Sequence, residues 1–101
     1  MASNSTVAVD RYVVDTLMRD LVGHDRSSSA FLIYLLVCSQ QENGRVRLSH
    51  AAIAERTGLS KRACQNAVRR LRRRGLIDVS RNSATEPAEY RALQPWRRDG
   101  S

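Results

Sequence analysis

Residues 49–77 read SHAAIAERTGLSKRACQNAVRRLRRRGLI, and this stretch decides the fold. It contains two runs with apolar residues at helical spacing, each preceded by a serine and followed by a glycine. Serine is a favoured helix N-cap, and glycine ends helices because it adopts positive φ without strain. The stretch therefore predicts a short helix between Ser49 and Gly58 and a longer one between Ser60 and Gly75.

The two predicted helices, 50–57 and 61–74, carry the residues that allow two helices to cross closely. Ala54 falls at the crossing, and Leu59 follows the glycine of the turn as an apolar plug. The residues expected to face inward are Ile53, Cys64, Ala67, Val68 and Leu71. A helix-turn-helix is the motif that needs small and apolar residues at these offsets.

Working outward, the hydrophobic pattern predicts two helices and a strand before this motif and two strands after it. These elements are a helix over Val9–Val22 that ends at Gly23, a largely apolar helix from Ala30 to about Gln41, and strands over Arg45–Leu48, Leu76–Arg81 and Glu89–Leu93. The order α-α-β-α-α-β-β predicts an α+β fold, mostly α, with a small antiparallel sheet. We expect residues 1–8 to be disordered, residues 9–96 to form one domain with Trp96 folded back on it, and residues 97–101 to be a flexible tail.

The net charge of +7 is concentrated in one segment. Of 17 basic and 10 acidic residues, seven bases and no acid lie within residues 61–74, so the rest of the chain has balanced charge. All the bases but one are arginine, whose guanidinium forks onto phosphate groups and guanine edges. A localised excess of this kind is typical of a protein with an anionic partner, most often nucleic acid.

The segment 53–77 resembles the helix-turn-helix of bacterial DNA-binding regulators, in particular the gluconate-repressor-like winged helix-turn-helix family. The shared pattern is an apolar-Ala start, Gly-apolar-Ser in the turn, and a long helix that ends in Leu-x-x-x-Gly-Leu-Ile. With the flanking elements the resemblance covers about residues 28–94, and it implies a winged helix that binds duplex DNA. The same segment is similar to N-terminal modules of plasmid and phage replication initiators.

Two features depart from the family pattern. Cys64 stands where the family usually has Val or Ile, which we expect to cost little in packing. Within the predicted wing hairpin, 76–94, the loop 82–88 contains Glu86 and no base. This composition argues against insertion of the wing tip into the minor groove.

The resemblance makes residues 60–74, within the helix-turn-helix 49–74, the recognition helix that enters the major groove. Helical periodicity directs its first half toward the bases, where arginine pairs with guanine and glutamine or asparagine with adenine. The expected base-reading residues are Lys61, Arg62, Gln65 and Asn66. The expected phosphate contacts are Ser49, Ser60, Arg69, Arg70, Arg72, Arg73 and Arg81, the two serines through the amides at the starts of their helices.

Other kinds of chemistry find little support in the sequence. No apolar run reaches the roughly 20 residues of a membrane helix, and the start of the chain lacks the pattern of a signal peptide, so we expect a cytoplasmic, nucleoid-associated protein. Cys38, Cys64, His24 and His50 are too scattered for a zinc site, and we expect neither a metal nor a cofactor. No phosphate-binding glycine loop or catalytic motif is present, and we expect no enzyme activity.

The helix over Val9–Val22 lies outside a winged-helix core, and its apolar residues recur in pairs at i, i+4 and i+8. Because this stripe is wider than one neighbour requires, it can pack on the domain and on a second subunit. We therefore expect a homodimer that places two recognition helices about 34 Å apart. The expected role is a transcriptional regulator; a DNA-binding accessory in replication or plasmid maintenance and a winged-helix protein-interaction adaptor are the alternatives.

Overall fold

The structure, a computed structural model, describes residues 5–40 and 44–97. An N-terminal helix is followed by α1 (Ser28–Gln40), β1 (Val46–Leu48), α2 (His50–Thr57), α3 (Lys61–Arg73), β2 (Ile77–Ser80) and β3 (Ala88–Ala92). This arrangement of four helices and a three-stranded antiparallel sheet is the winged-helix architecture. The predicted α+β class and element order are confirmed.

The N-terminal helix consists of two π-helical stretches, Val13–Leu17 and Arg19–His24, joined at Met18, which keeps a helical backbone conformation. Amides at its turns donate to carbonyls five residues back, the bond that defines a π-helix. The prediction that Gly23 ends this helix is wrong, because Gly23 lies inside the second stretch. The chain turns instead at Arg26, which adopts a left-handed φ of 56°.

Two rows of apolar side chains run along the N-terminal helix, and only one is buried. The buried row packs into the core with exposures of at most 3% and consists of Val13, Leu17 and Leu21. The exposed row, at 38–50%, consists of Val14, Met18 and Val22. The helix therefore completes the monomer core with one row and presents the other to solvent.

Helix α1 occupies the centre of the molecule. Its buried residues lie on one side of the helix and are Ala30, Phe31, Ile33, Tyr34 and Val37, while the partly buried Leu35 and Leu36 pack against the core from its other side. A helix that is apolar on nearly all sides is stable only when other elements cover it, and here the N-terminal helix, α2, α3 and β3 all contact α1. The phenol of Tyr34 is fully buried and donates its proton to the carbonyl of Leu93 at 2.8 Å.

The sheet has the order β1-β3-β2, so β3 is the central strand. Its side chains alternate, as the period of two in a strand requires: Ala88, Tyr90 and Ala92 are buried against the core. On the other face Glu89 lies opposite Arg47 of β1 and forms an ion pair with it at 2.9 Å. The sheet thus closes the core behind α1 and carries its charges outward.

The C-terminal residues fold back onto the start of the N-terminal helix. Trp96 stacks on Tyr12 with ring centroids 4.5 Å apart, and its indole donates to Asp10 at 2.9 Å. Arg97 also hydrogen-bonds to Asp10, through Nε at 2.7 Å and through Nη2. The hydrogen bonds to Asp10 from Arg97 and Trp96 together hold its pKa below the ordinary value. These contacts fasten the two ends of the described chain to each other.

The expected disorder over 1–8 and flexibility over 97–101 concern residues that lie mostly outside the described part of the chain. Of those that are described, residues 5–8 have no regular secondary structure, and Arg97 is held by Asp10. Across residues 5–40 and 44–97, none of the helices has the length and apolar character needed to cross a membrane.

Candidate nucleic-acid interface

Two serine caps and one glycine set the geometry of the helix-turn-helix. The hydroxyl of Ser49 accepts the amide proton of Ala52 at 3.0 Å, and that of Ser60 accepts the amide proton of Ala63 at 3.1 Å. Gly58 adopts a left-handed φ of 80° between the helices. Because caps and turn are local features, α2 and α3 begin at the residues that the sequence predicts.

The inner face of α3 is packed against the core. Its four residues predicted to face inward, Cys64, Ala67, Val68 and Leu71, are at most 8% exposed. Ile53 of α2 is fully buried in the same core. The predicted inward positions are confirmed, and their burial fixes the opposite face of α3 toward solvent.

The four predicted base-reading residues share the exposed face at the start of α3. They are Lys61, Arg62, Gln65 and Asn66, and all are exposed. The amide oxygen of Asn66 accepts a hydrogen bond from Nη1 of Arg69 at 3.1 Å. Since pairing with adenine requires both an acceptor and a donor, Gln65 has the more available amide of the two.

Farther along the same face, Arg69, Arg72 and Arg73 are exposed. Among the described residues, no carboxylate oxygen lies within 4 Å of their guanidinium groups or of the cationic groups of Lys61 and Arg62. Five positive charges therefore project from one face of one helix without a neutralising partner. This face is the basic face of the protein.

Some arginines elsewhere on the surface are paired with carboxylates. Arg45 and Arg47 flank Glu89 at 3.2 and 2.9 Å, and their hydrogen bonds hold the pKa of Glu89 below its ordinary value. Arg97 is paired with Asp10 in the same way. The basic face differs from these pairs in that its five positive charges lie close together on one helix, with no carboxylate oxygen within 4 Å among the described residues.

Arg70, expected to contact phosphate, lies on the flank of α3 and has a partner within the protein. Its Nη1 is 3.7 Å from Oδ2 of Asp25, and Nε of Arg74 is 3.2 Å from the same oxygen. Asp25, in the turn that follows the N-terminal helix, is not among the functional residues predicted from the sequence. No sequence signal indicates this contact, because the partners lie about 45 to 50 positions apart and on different elements.

Arg26 is a second residue of that turn which sequence reasoning missed. It is exposed, and it lines a groove between the start of α1 and α3 together with Asn66, Arg69 and Arg73. The groove continues the basic face toward α1. The sequence offers one signal for Arg26, which is its position directly before the serines at the start of α1.

The remaining expected phosphate contacts lie at the starts of helices and in the wing. The hydroxyls of Ser49 and Ser60 accept capping hydrogen bonds, and each retains its own O–H as a donor. Arg81 is exposed directly after β2 and lines one cleft with Ser49, between the wing loop and the start of α2. Glu86 lines the same cleft, so the wing contributes charges of both signs there.

No set of three or more His, Cys, Asp or Glu residues in the described part of the chain is placed to hold a metal ion. Cys64 is buried, and burial raises the pKa of its thiol. Burial likewise raises the pKa of the Cys38 thiol. Both cysteines are free, and their environments disfavour the reactive thiolate form.

The fold is that of a winged helix, and its basic face has the excess of positive charge that is typical of nucleic-acid-binding surfaces. Residues 41–78 match a family model described as winged helix-turn-helix DNA-binding. This match agrees with the resemblance noted in the sequence and supports DNA binding by this segment of the chain. This family points to a binding protein rather than an enzyme. No curated protein matches the chain.

Proposed function

We propose that the protein is a transcriptional regulator that recognises a specific duplex sequence with α3 in the major groove. The observation that supports this proposal most strongly is the basic face, with five uncompensated positive charges opposite a buried stripe. The 13 residues of α3 form a helix about 20 Å long, and a major groove about 12 Å wide admits it. The protein then acts in the cytoplasm of a bacterial cell, associated with the nucleoid.

In this proposal the start of α3 reads bases. Arg62 donates two hydrogen bonds to a guanine edge, and Gln65 both donates to and accepts from an adenine edge. Lys61 and Asn66 contribute further hydrogen bonds at the same depth in the groove. The exposure of all four side chains supports this assignment.

Phosphate contacts come from residues that surround this helix. They are Ser49, Ser60, Arg69, Arg72, Arg73 and Arg81, together with Arg26 at the start of α1. Each fixes position on the duplex without reading sequence. Arg70 is treated separately below because of its ion pair with Asp25.

Binding titrations test the two roles. A preferred duplex selected from a random pool is compared with a scrambled duplex of equal length. Gln65→Ala should lose about 1–3 kcal/mol on the preferred duplex and little on the scrambled one. Arg69→Ala should weaken both alike and lower the salt slope by about one, whereas Arg11→Ala, an exposed arginine near the start of the N-terminal helix, serves as the charge-matched control.

Two results would contradict the proposal. Equal losses for Gln65→Ala on both duplexes would show that Gln65 contacts only the backbone. A wild-type affinity that does not change with salt would rule out the basic face as a DNA-binding surface. Chromatin immunoprecipitation tests the regulatory role: enrichment at promoters supports it, and enrichment confined to replication origins would assign the protein to replication.

The protein further acts as a homodimer through the exposed row of the N-terminal helix, Val14, Met18 and Val22. Support comes from the exposure of this apolar row, which is 38–50% in the monomer. Met18→Asp should give a folded monomer in sedimentation and circular dichroism, whereas Leu17→Asp should unfold the chain because Leu17 is buried. A wild-type protein that stays monomeric on DNA at all concentrations would end the dimer proposal.

A further inference from the structure

Asp25 is a nearly buried carboxylate between the N-terminal helix and α3. Its side chain is 7% exposed, and its Oδ1 lies 3.0 Å from Nδ1 of His24. Its Oδ2 faces two arginines of α3, at 3.2 Å from Nε of Arg74 and 3.7 Å from Nη1 of Arg70. Oδ2 has no solvent exposure and makes no hydrogen bond of good geometry, so these two guanidinium groups are its source of compensation.

A carboxylate that is shielded from water is strongly destabilising unless nearby positive charge compensates it. Asp25 therefore depends on Arg70 and Arg74 for this compensation. The two arginines depend less on Asp25, because their side chains are 41% and 40% exposed and retain access to solvent. Asp25 is ionised at neutral pH, and the hydrogen bond from His24 together with the charges of the arginines holds its pKa below the ordinary value. The geometry therefore places a permanent negative charge at the edge of the basic face.

We propose that Asp25 is a positioning residue that withholds Arg70 and Arg74 from DNA phosphates and so sets the footprint of α3. The inference rests on the proposed DNA-binding function and narrows it. The arginines that meet phosphate are those of the outer face, Arg69, Arg72 and Arg73, which have no acidic partner among the described residues. The two arginines on the flank, Arg70 and Arg74, compensate the charge of Asp25 and connect α3 to the turn after the N-terminal helix.

The direct test measures the dependence of affinity on salt for a non-specific duplex, by fluorescence anisotropy. Asp25→Asn removes the competing charge, so Arg70 and Arg74 become available and the slope should steepen by about 0.9 for each new phosphate contact. Between 50 and 200 mM salt, each new contact corresponds to an additional affinity loss of about 3.5-fold. Asp15→Asn makes the same change of charge at an exposed position of the N-terminal helix and should leave the slope unchanged.

A second variant pair keeps the test informative if Asp25→Asn folds poorly. With Asp25 intact, Arg70→Ala should leave the slope near the wild-type value, whereas Arg69→Ala should lower it by about one. If Asp25 only stabilised the fold, these substitutions would change the unfolding midpoint, but the salt slopes of Arg70→Ala and Arg69→Ala would not differ in this way. Equal slope changes for Arg70→Ala and Arg69→Ala would overturn the assignment of Asp25.

The outcomes separate this inference from the proposed function. If wild-type affinity falls steeply with salt and a folded Asp25→Asn has the same slope as wild type, Asp25 does not withhold the arginines and DNA binding stands. If wild-type affinity does not respond to salt, DNA binding through the basic face fails, and the role of Asp25 fails with it.

Discussion

The same substitution, glycine to alanine, should have opposite effects at two positions of this chain. Gly58 has a left-handed φ of 80°, and Gly23 lies within the helical stretch Arg19–His24. A Cβ added at either position meets nothing within 4 Å, so packing contributes to neither effect. Alanine at position 58 pays the left-handed strain, about 1–2 kcal/mol, whereas alanine at position 23 gains about 0.5–1 kcal/mol of helix propensity.

Urea unfolding monitored by circular dichroism at 25 °C measures both variants against the wild type. For a domain of this size 1 kcal/mol corresponds to about 4–8 °C in Tm, so a thermal scan should place Gly58→Ala below the wild type and Gly23→Ala above it. Gly58→Asn is the matched control, because asparagine tolerates left-handed backbone better than alanine does. A Gly58→Ala variant as stable as the wild type would refute the reasoning that the turn requires a residue with positive φ.

Three further predictions concern single buried or half-buried groups. Tyr34→Phe removes the hydroxyl that donates to the carbonyl of Leu93 at 2.8 Å and should lower the free energy of unfolding by about 1–3 kcal/mol; an unchanged urea midpoint would contradict this. The pKa of Asp25 is held below 3.8 by the hydrogen bond from His24 and by the neighbouring arginines, so its contribution to stability is present above that pH and is lost as pH falls through the lowered value. Between about pH 5 and pH 2, Asp25→Asn should therefore lose less stability than the wild type in urea titrations, and parallel losses would show that Asp25 does not carry the acid sensitivity. Cys64 is fully buried, and the pKa of its thiol is raised. Iodoacetamide at neutral pH should therefore modify it only after unfolding, as measured by mass spectrometry. Rapid modification of the native protein would contradict its burial.

Local signals explain why the helix-turn-helix could be predicted from the sequence. A serine cap acts on an amide three residues ahead, as at Ser49 and Ser60, and a glycine such as Gly58 acts on its own backbone. All the information that positions these boundaries therefore lies within a few residues. The excess of positive charge also lies within one short segment, residues 61–74, so the basic face could be predicted from the sequence alone.

Other features depend on contacts between distant parts of the chain. Gly23 was misread as a helix end because local rules do not report that the backbone stays helical through it. The apolar pairs of the N-terminal helix did not show which row the core would cover, since Leu17 and Met18 look alike in the pattern and only Leu17 is buried. The pairing of Arg70 with Asp25 likewise depends on the tertiary fold. The count of charges identifies the arginines of residues 61–74 but not which two of them, Arg70 and Arg74, face Asp25.

The contact between Asp10 and Trp96 has a consequence for the order in which a newly made chain completes its fold. The two residues are 86 positions apart, so at about 5–20 residues per second a ribosome adds Trp96 roughly 4–17 s after Asp10. By then the helix-turn-helix has been synthesised. In an unfolded chain the entropic cost of closing a loop of this length would be about 4 kcal/mol, and folding of the helix-turn-helix shortens the loop that must close. Asp10 and Tyr12, at the start of the N-terminal helix, therefore cannot reach their final packing until Trp96 has been added.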